Sequence, residues 1–458
     1  MNAPAYRVVN PATGDLVEEF TSIADDDLAA AIESAHAAYV RDRDVPVADR
    51  LLPLRRAASL LRERTTELAA IAAAEIGKPL EQGRGEVEFC ADIFDYYAQH
   101  AERLTAPQPI SSGSGRARIE RRPLGVLLGI MPWNYPFYQA ARFVAPNLAV
   151  GNTILLKPAE SCPRSALALD HLLREAGVGE GAFHTAFATH EQIRTVIQDA
   201  RVQGVSLTGS ERAGAAVAAA AGAHLKKVVL ELGGSDPHVI LDTAHVAEAA
   251  AAAWSMRMEN LGQACNSNKR IIVAAAHYAE FVSELTKLAS ALEPGDPLDL
   301  RDGQFPPMAS RAAAEHLCAQ IEDAISRGAT LHTGGTLHTG PGAYFSPAVL
   351  TGVTPGMRAY HEELFGPVAV VYRAEDDEHA LRIANDTEFG LGAAVFSTDI
   401  ARAEAFAARV ETGMVAINAL AAEGAELPFG GVKRSGYGRE LGPLGMDEFV
   451  NKRLIYTA

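Results

Sequence analysis

Four short stretches place reactive or ligand-holding residue types where they could do chemistry. In NLGQACNSNKR, residues 260–270, Cys265 sits among polar neighbours. As a thiolate it attacks electrophilic carbon; as a thiol it is one more small apolar residue in a core. In LELGGSDP, Glu231 closes an apolar run and two glycines follow it. A carboxylate at the carboxyl end of a parallel strand stands where open α/β sheets bind ligands. In MPWNYP, Asn134 offers a side-chain amide in a turn directly after another apolar run, for chemistry or for local backbone. In LTGSERAG, Gly209 and Gly214 bracket a strand-to-helix turn, where glycine lets a cofactor phosphate approach backbone N–H groups at a helix N-terminus. The spacing is not G-x-G-x-x-G, so each stretch alone is a weak signal.

The elements that must position these residues are of two kinds. The N-terminal third is helical. DDDLAAAIESAHAAYV has an acidic start and near-helical apolar spacing, ADRLLPLRRAASLLRERTTELAAIAAAEIGKP runs on to Gly77 and Pro79, and a third helix is expected from about Gly85 to Leu104. APQPISSGSG then reads as a loop or linker. Beyond it, LGVLLGI, NTILLKP, GVSLTGS and KVVLELGG are apolar runs of strand length, as expected of strands buried on both faces of a parallel sheet. RIIVAAA, VAVVYRA, LGAAVFS and GMVAINA make a second series, so two α/β domains are expected. The alanine tracts AGAAVAAAAGA and EAAAAAW read as crossover helices.

Composition narrows the function classes. At 458 residues the chain is long enough for two or three cores. Its 57 acidic and 41 basic residues give a net charge of −16, which argues against a nucleic-acid or anionic-membrane partner. No apolar run approaches membrane-helix length, and MNAPAYRVVNPATG lacks the basic opening and apolar stretch of a signal peptide. Cys90, Cys162, Cys265 and Cys318 lie far apart, which suits a reducing cytoplasm, and no His or Cys spacing suggests a structural metal.

Taken together, the motifs resemble one family, the aldehyde dehydrogenases. The likeness runs from VNPATGD through PWNYP, LLKPAE, LTGS, LELGG, NLGQAC and EELFGPV to LPFGGVKRSGYGRELG, in the family's order. It implies an aldehyde dehydrogenase-like fold: a Rossmann-like cofactor domain (1–104 and 124–232), a catalytic domain (233–446) and oligomerisation strands (105–123 and 447–458). It also implies roles. Cys265 is the nucleophile that forms a thiohemiacetal and then a thioester, and Asn134 with the Cys265 N–H is the oxyanion hole. Glu231 is the base that activates water, which favours release of a free acid over transfer to coenzyme A.

The resemblance extends to the cofactor. Lys157 and Glu160 match the residues that hold the adenosine ribose, and a carboxylate there favours NAD over NADP by repelling a 2′-phosphate. Trp133 and Ser210 match the adenosine and pyrophosphate site, Gly209, Gly214 and Leu232 are expected among the cofactor-binding residues, and Glu363 and Phe365 match the nicotinamide ribose and ring. Among substrates, the motifs look most like the succinate-semialdehyde dehydrogenase branch. There Arg142 matches an arginine for the distal carboxylate, or is a solvated or salt-bridged helix residue. Glu259 and Glu423 depart from that branch. They would favour an aminoaldehyde unless they face solvent or pair with Arg257 or Arg142. A homodimer or homotetramer is expected, with ARIERRP and NKRLIYT as edge strands completed across subunits. A coenzyme A-acylating enzyme and a catalytically silent member are the competing readings.

Overall fold

The computed structural model describes residues 6–458; the first five residues of the opening stretch lie outside it. Both strand series form as expected. The first makes a six-stranded sheet in the order Gly436–Tyr437, Lys227–Glu231, Val202–Thr208, Val126–Ile130, Thr153–Lys157 and Phe183–Thr185. All neighbours run parallel except Gly436–Tyr437, which returns antiparallel to Lys227–Glu231. Val126–Ile130 and Thr153–Lys157 are buried almost throughout, because helices cover both faces of the sheet.

The second series makes a seven-stranded sheet in the order Thr330–Thr333, Ala348–Thr351, Val368–Ala374, Arg270–Ala274, Pro237–Ile240, Ala394–Phe396 and Ala416–Ile417. Only Thr330–Thr333 runs antiparallel. Both alanine tracts are helical, within Glu211–Ala223 and Val246–Met258.

Three details differ from expectation. The long second helix is two, Val47–Glu63 and Thr65–Ile76, broken at Arg64 where ψ is 18°. It stops at Gly77, whose φ of 71° is the left-handed cap glycine adopts freely. The third helix starts earlier, at Leu80, and reaches Thr105. The Pro/Ser/Gly-rich break is only partly loop, because Gln108–Ile110 pairs with Arg116–Pro123.

ARIERRP and NKRLIYT pair with each other. Arg116–Pro123 and Val450–Thr457 lie antiparallel, from Thr457 opposite Arg116 to Val450 opposite Pro123. The resulting three-stranded sheet leaves Leu454, Tyr456 and Ile110 exposed. No helix among the described residues is long and apolar enough to cross a membrane.

Candidate active site

The first sheet aims its strand ends at one crevice. Trp133 and Asn134 follow Val126–Ile130, Lys157 ends its own strand, Gly209 and Ser210 follow Val202–Thr208, and Glu231 ends Lys227–Glu231. The crevice at the carboxyl ends of a parallel sheet is where such folds bind ligands.

Asn134 is buried in the turn before the helix Tyr138–Val150. The turn is held from outside by Glu86, whose carboxylate accepts the Phe137 and Tyr138 N–H groups at 2.9 and 3.0 Å. A carboxylate suits a helix N-terminus. Glu86 is itself neutralised by a fully buried ion pair with Lys78, whose ammonium lies 3.5 Å from the Tyr135 ring centroid.

Cys265 is reached through a strained turn. Asn260 and Leu261 have φ of 46° and 53°, and Gly262 follows at 73°. A Cβ on Gly262 would stand 2.3 Å from the Gly366 carbonyl, so only glycine fits. Left-handed non-glycine residues cost about 1–3 kcal/mol each and persist only where contacts hold them. Here Asn260 Nδ2 donates to the Asn134 carbonyl at 2.9 Å, and the Asn260 N–H donates to Gln82 at 2.8 Å. Asn134 Nδ2 donates to the Gln263 carbonyl at 3.0 Å. The amide expected in the oxyanion hole and the loop of the expected nucleophile are therefore tied directly together.

Beyond Cys265 the loop is held by Lys269. Its ammonium donates to the Ala264 and Cys265 carbonyls at 2.6 and 2.8 Å and pairs with Glu363 at 2.9 Å. Glu363 also accepts the Gly234 N–H at 3.1 Å. Burial pushes the half-buried Cys265 thiol up to about 12, although Arg142 and Lys269 pull the other way.

Glu231 is buried, and no described residue donates a hydrogen bond to either carboxylate oxygen. Burial holds its pKa well above the usual range; Arg142 opposes this and Glu440 adds to it. One oxygen faces Gly430, where a Cβ would come within 2.6 Å of it.

The cofactor-type residues collect around the crevice. Lys157 pairs with Glu160 at 2.5 Å, and His190 stands 3.7 Å from the same oxygen. Trp133 and Phe365 meet edge to face with centroids 5.6 Å apart. Ser210 caps the helix Glu211–Ala223, accepting the Ala213 N–H at 3.3 Å. Gly214 has another reason to be glycine, since a Cβ there would meet the Leu232 side chain at 2.7 Å.

A cavity of about 680 Å³ opens in front of Cys265, lined by Phe89, Tyr135, Tyr138, Gln139 and Phe429 among others. Glu259 and Glu423 line it too, and among the described residues no lysine or arginine does. Burial raises the Glu259 pKa and Lys78 offsets it, while Glu423 accepts Asn266 Nδ2 at 3.1 Å. Neither carboxylate pairs with Arg257, which is buried and donates to the Val368, Leu364 and Gly366 carbonyls and Ser267.

Arg142 lies one layer behind the cavity wall. It is fully buried, paired with Glu440, and donates to Thr208 at 3.2 Å and to the Tyr138 hydroxyl at 3.4 Å. Of the two alternatives for this arginine, the ion pair is the contact it makes. Sequence reasoning did not single out Lys269, Gln263, Asn260, Glu86 or Glu440. Their one signal was position, since Asn260, Gln263 and Lys269 flank Cys265 inside one motif.

A half-buried thiol facing a large cavity and a buried carboxylate at a strand end, both at the carboxyl edge of a parallel sheet, point to one class of enzyme. The chain belongs to the aldehyde dehydrogenase family, whose description, "Aldehyde dehydrogenase family", matches residues 2–455, and it is accordingly an oxidoreductase. It is 51% identical to the succinate-semialdehyde dehydrogenase (NADP(+)) of Deinococcus radiodurans, over 98% of this chain and 94% of that protein. The probable succinate-semialdehyde dehydrogenase (NADP(+)) of Synechocystis sp. is 40% identical over 99% of this chain and all of its own. Succinic semialdehyde dehydrogenase from Streptococcus pyogenes, solved in complex with NADP+, superimposes with a TM-score of 0.96 at 40% identity, covering 99% of both chains.

Proposed function

We propose that this enzyme oxidises succinate semialdehyde to succinate with NADP+, through a thiohemiacetal and a thioester on Cys265. The observation that carries the reading is Cys265 facing the large cavity on a loop hydrogen-bonded to Asn134. The similarity to the Deinococcus and Streptococcus enzymes supports the substrate and cofactor.

In this reading the Cys265 thiolate attacks the aldehyde carbon. One Asn134 Nδ2–H is engaged by Gln263; the second, with the Cys265 N–H, holds the oxyanion. Such preorganised donors contribute about 2.7–4 kcal/mol each. A bound nicotinamide supplies the hydride acceptor, held by Trp133, Phe365, Glu363, Lys157, Glu160, Gly209 and Ser210, with Gly214 and Leu232 packing beneath. Glu231 then takes a proton from the water that cleaves the thioester. Burial raises its pKa, which makes its carboxylate a stronger base than an exposed one.

The cofactor reading changes from NAD to NADP+ for a physical reason. Glu160 would repel a 2′-phosphate if it stood alone, but Lys157 engages its carboxylate and His190 stands beside it. NAD remains usable at such a site. The distal carboxylate is read by the Tyr138 hydroxyl, whose lone pair receives Arg142 and whose proton points its donor capacity into the cavity.

A second reading, an aminoaldehyde substrate, is favoured by Glu259 and Glu423 in the cavity wall. The test is kcat/KM for succinate semialdehyde and for 4-aminobutyraldehyde, each with NADP+ and NAD, in wild type and Arg142→Ala. The ratio of substrates within one variant does not depend on how much of it folds. A wild-type preference for the semialdehyde that Arg142→Ala abolishes supports the proposal. A preference for the aminoaldehyde replaces it with the second reading.

The proposed division into cofactor, catalytic and oligomerisation segments is kept, with the strand Gly436–Tyr437 added to the sheet of the cofactor segment, to whose Lys227–Glu231 it pairs. The exposed face of the three-stranded sheet supports assembly as a homodimer or homotetramer, and four free thiols support a cytoplasmic site of action.

A further inference from the structure

Successive carbonyls of the nucleophile loop are held by side chains. Asn134 Nδ2 donates to that of Gln263 at 3.0 Å, and the Lys269 ammonium donates to those of Ala264 and Cys265 at 2.6 and 2.8 Å. The Lys269 side chain is 1% exposed, and its remaining donor goes to Glu363 at 2.9 Å. Burying an ammonium is costly unless it is paired and its donors are used. The pair with Glu363 meets the need for a counter-charge, with Asp236 and Arg257 as further charged neighbours. That pairing alone does not call for the two carbonyls that flank the nucleophile.

The Ala264 contact matters for what its peptide carries on the other side. All described peptide bonds are trans, so the Ala264 carbonyl and the Cys265 N–H share a plane and point in opposite directions. Anchoring the carbonyl on Lys269 therefore turns the Cys265 N–H away from Lys269. No described residue accepts that N–H, and Ala264, Cys265 and Asn266 all line the substrate cavity. A cation at the carbonyl oxygen also draws electron density out of the amide, which makes its N–H a stronger donor.

We propose that Lys269 is a positioning residue for the oxyanion hole, fixing and polarising the Ala264–Cys265 peptide so that the Cys265 N–H meets the developing oxyanion. The inference rests on the reading above, in which that N–H and Asn134 hold the oxyanion. Lys269 does not line the cavity and acts through the peptide alone.

The test compares two reactions of Cys265 in the cofactor-free enzyme. With 4-nitrophenyl acetate the thiolate adds to a carbonyl carbon. A C–S bond forms, an oxyanion develops, and its collapse expels 4-nitrophenolate and leaves an acetyl thioester. With iodoacetamide the thiolate displaces iodide from saturated carbon, and no oxyanion forms. The thiolate fraction enters both rates and cancels in their ratio. Both are measured on folded, monodisperse enzyme, with peptide mapping to assign the products to Cys265.

Lys269→Met should lower the ratio of acylation to alkylation about tenfold, short of the roughly 10²–10³ that loss of an oxyanion donor costs. Lys269→Gln keeps two donors without the charge, should lower the ratio about threefold, and serves where Lys269→Met does not fold. A ratio unchanged in the folded variant overturns the role of Lys269. Asn134→Ala separates that failure from failure of the reading beneath it. If the ratio falls there, the oxyanion hole stands without Lys269; if it is unchanged there too, the hole itself is overturned.

Discussion

Arg142 and Glu440 form an ion pair with the arginine wholly buried and the glutamate 6% exposed in its side chain. The two lie almost three hundred residues apart, on the helix after the Asn134 turn and on the segment after the returning strand Gly436–Tyr437. Burial works against the charge on Arg142, but Glu440 together with Tyr138, Glu231 and Cys265 outweighs it, so the guanidinium stays charged. Burial also raises the Glu440 pKa, against which Arg142 and Ser206 act.

Removing one partner leaves the other charge buried and alone. Arg142→Met or Glu440→Leu should each cost about 3–5 kcal/mol, and the double variant far less than their sum. Urea unfolding midpoints measure this; single costs under about 1 kcal/mol would show that the pair is solvated in solution.

The Cys265 thiol should behave as one of high pKa in the free enzyme. Its thiolate fraction, and so its alkylation by iodoacetamide, should climb about tenfold per unit between roughly pH 7 and pH 10 without a plateau. Peptide mapping separates it from Cys318, the other half-buried cysteine. A plateau near neutrality would mean that a neighbouring group already holds the thiolate.

Glu231→Gln should separate the two halves of the reaction. Hydride transfer should still give a burst of about one NADPH per site, while thioester hydrolysis slows by about 10²–10⁴-fold. Stopped-flow fluorescence reads both phases. Loss of the burst with an unchanged steady state would contradict the assignment of Glu231 to water activation.

Glu160→Gln removes the carboxylate that Lys157 engages and frees the ammonium for a phosphate. The ratio of kcat/KM for NADP+ to that for NAD should rise about tenfold, corresponding to ~1.4 kcal/mol. An unchanged ratio would place the 2′-phosphate away from this residue.

Two glycine substitutions should part company. Gly234→Ala drives a Cβ into the Cys265 carbonyl and should cost about 1–3 kcal/mol and much of kcat. Gly222→Ala, inside the helix Glu211–Ala223 with nothing within 4 Å, should be neutral or add about 0.5–1 kcal/mol. Melting temperatures and initial rates report both.

Most of the central strands, the crossover helices and the motifs holding the three candidate central residues were legible in the sequence because their signals are local. Val126–Ile130 and Thr153–Lys157 announce themselves as unbroken apolar runs, and Cys265, Glu231 and Asn134 each sit in a motif short enough to read. The break at Arg64 was not, since no glycine or proline marks it, and the pairing of Gln108–Ile110 was hidden because Pro109 and the Pro/Ser/Gly-rich residues after it read as a loop.

Residue types and order along the chain thus determined the class of chemistry: a thiol, an amide and a carboxylate, each at a strand or loop end beside glycines. Only the tertiary structure decided what those groups touch. It placed Arg142 against Glu440, turned Lys269 onto the Cys265 carbonyl, engaged Glu160 with Lys157, and left Glu259 and Glu423 facing the cavity. The physical reason is that a charge's effect depends on its partner and its distance from water. For a pair such as Arg142 and Glu440, that partner is distant in sequence and is set by folding alone.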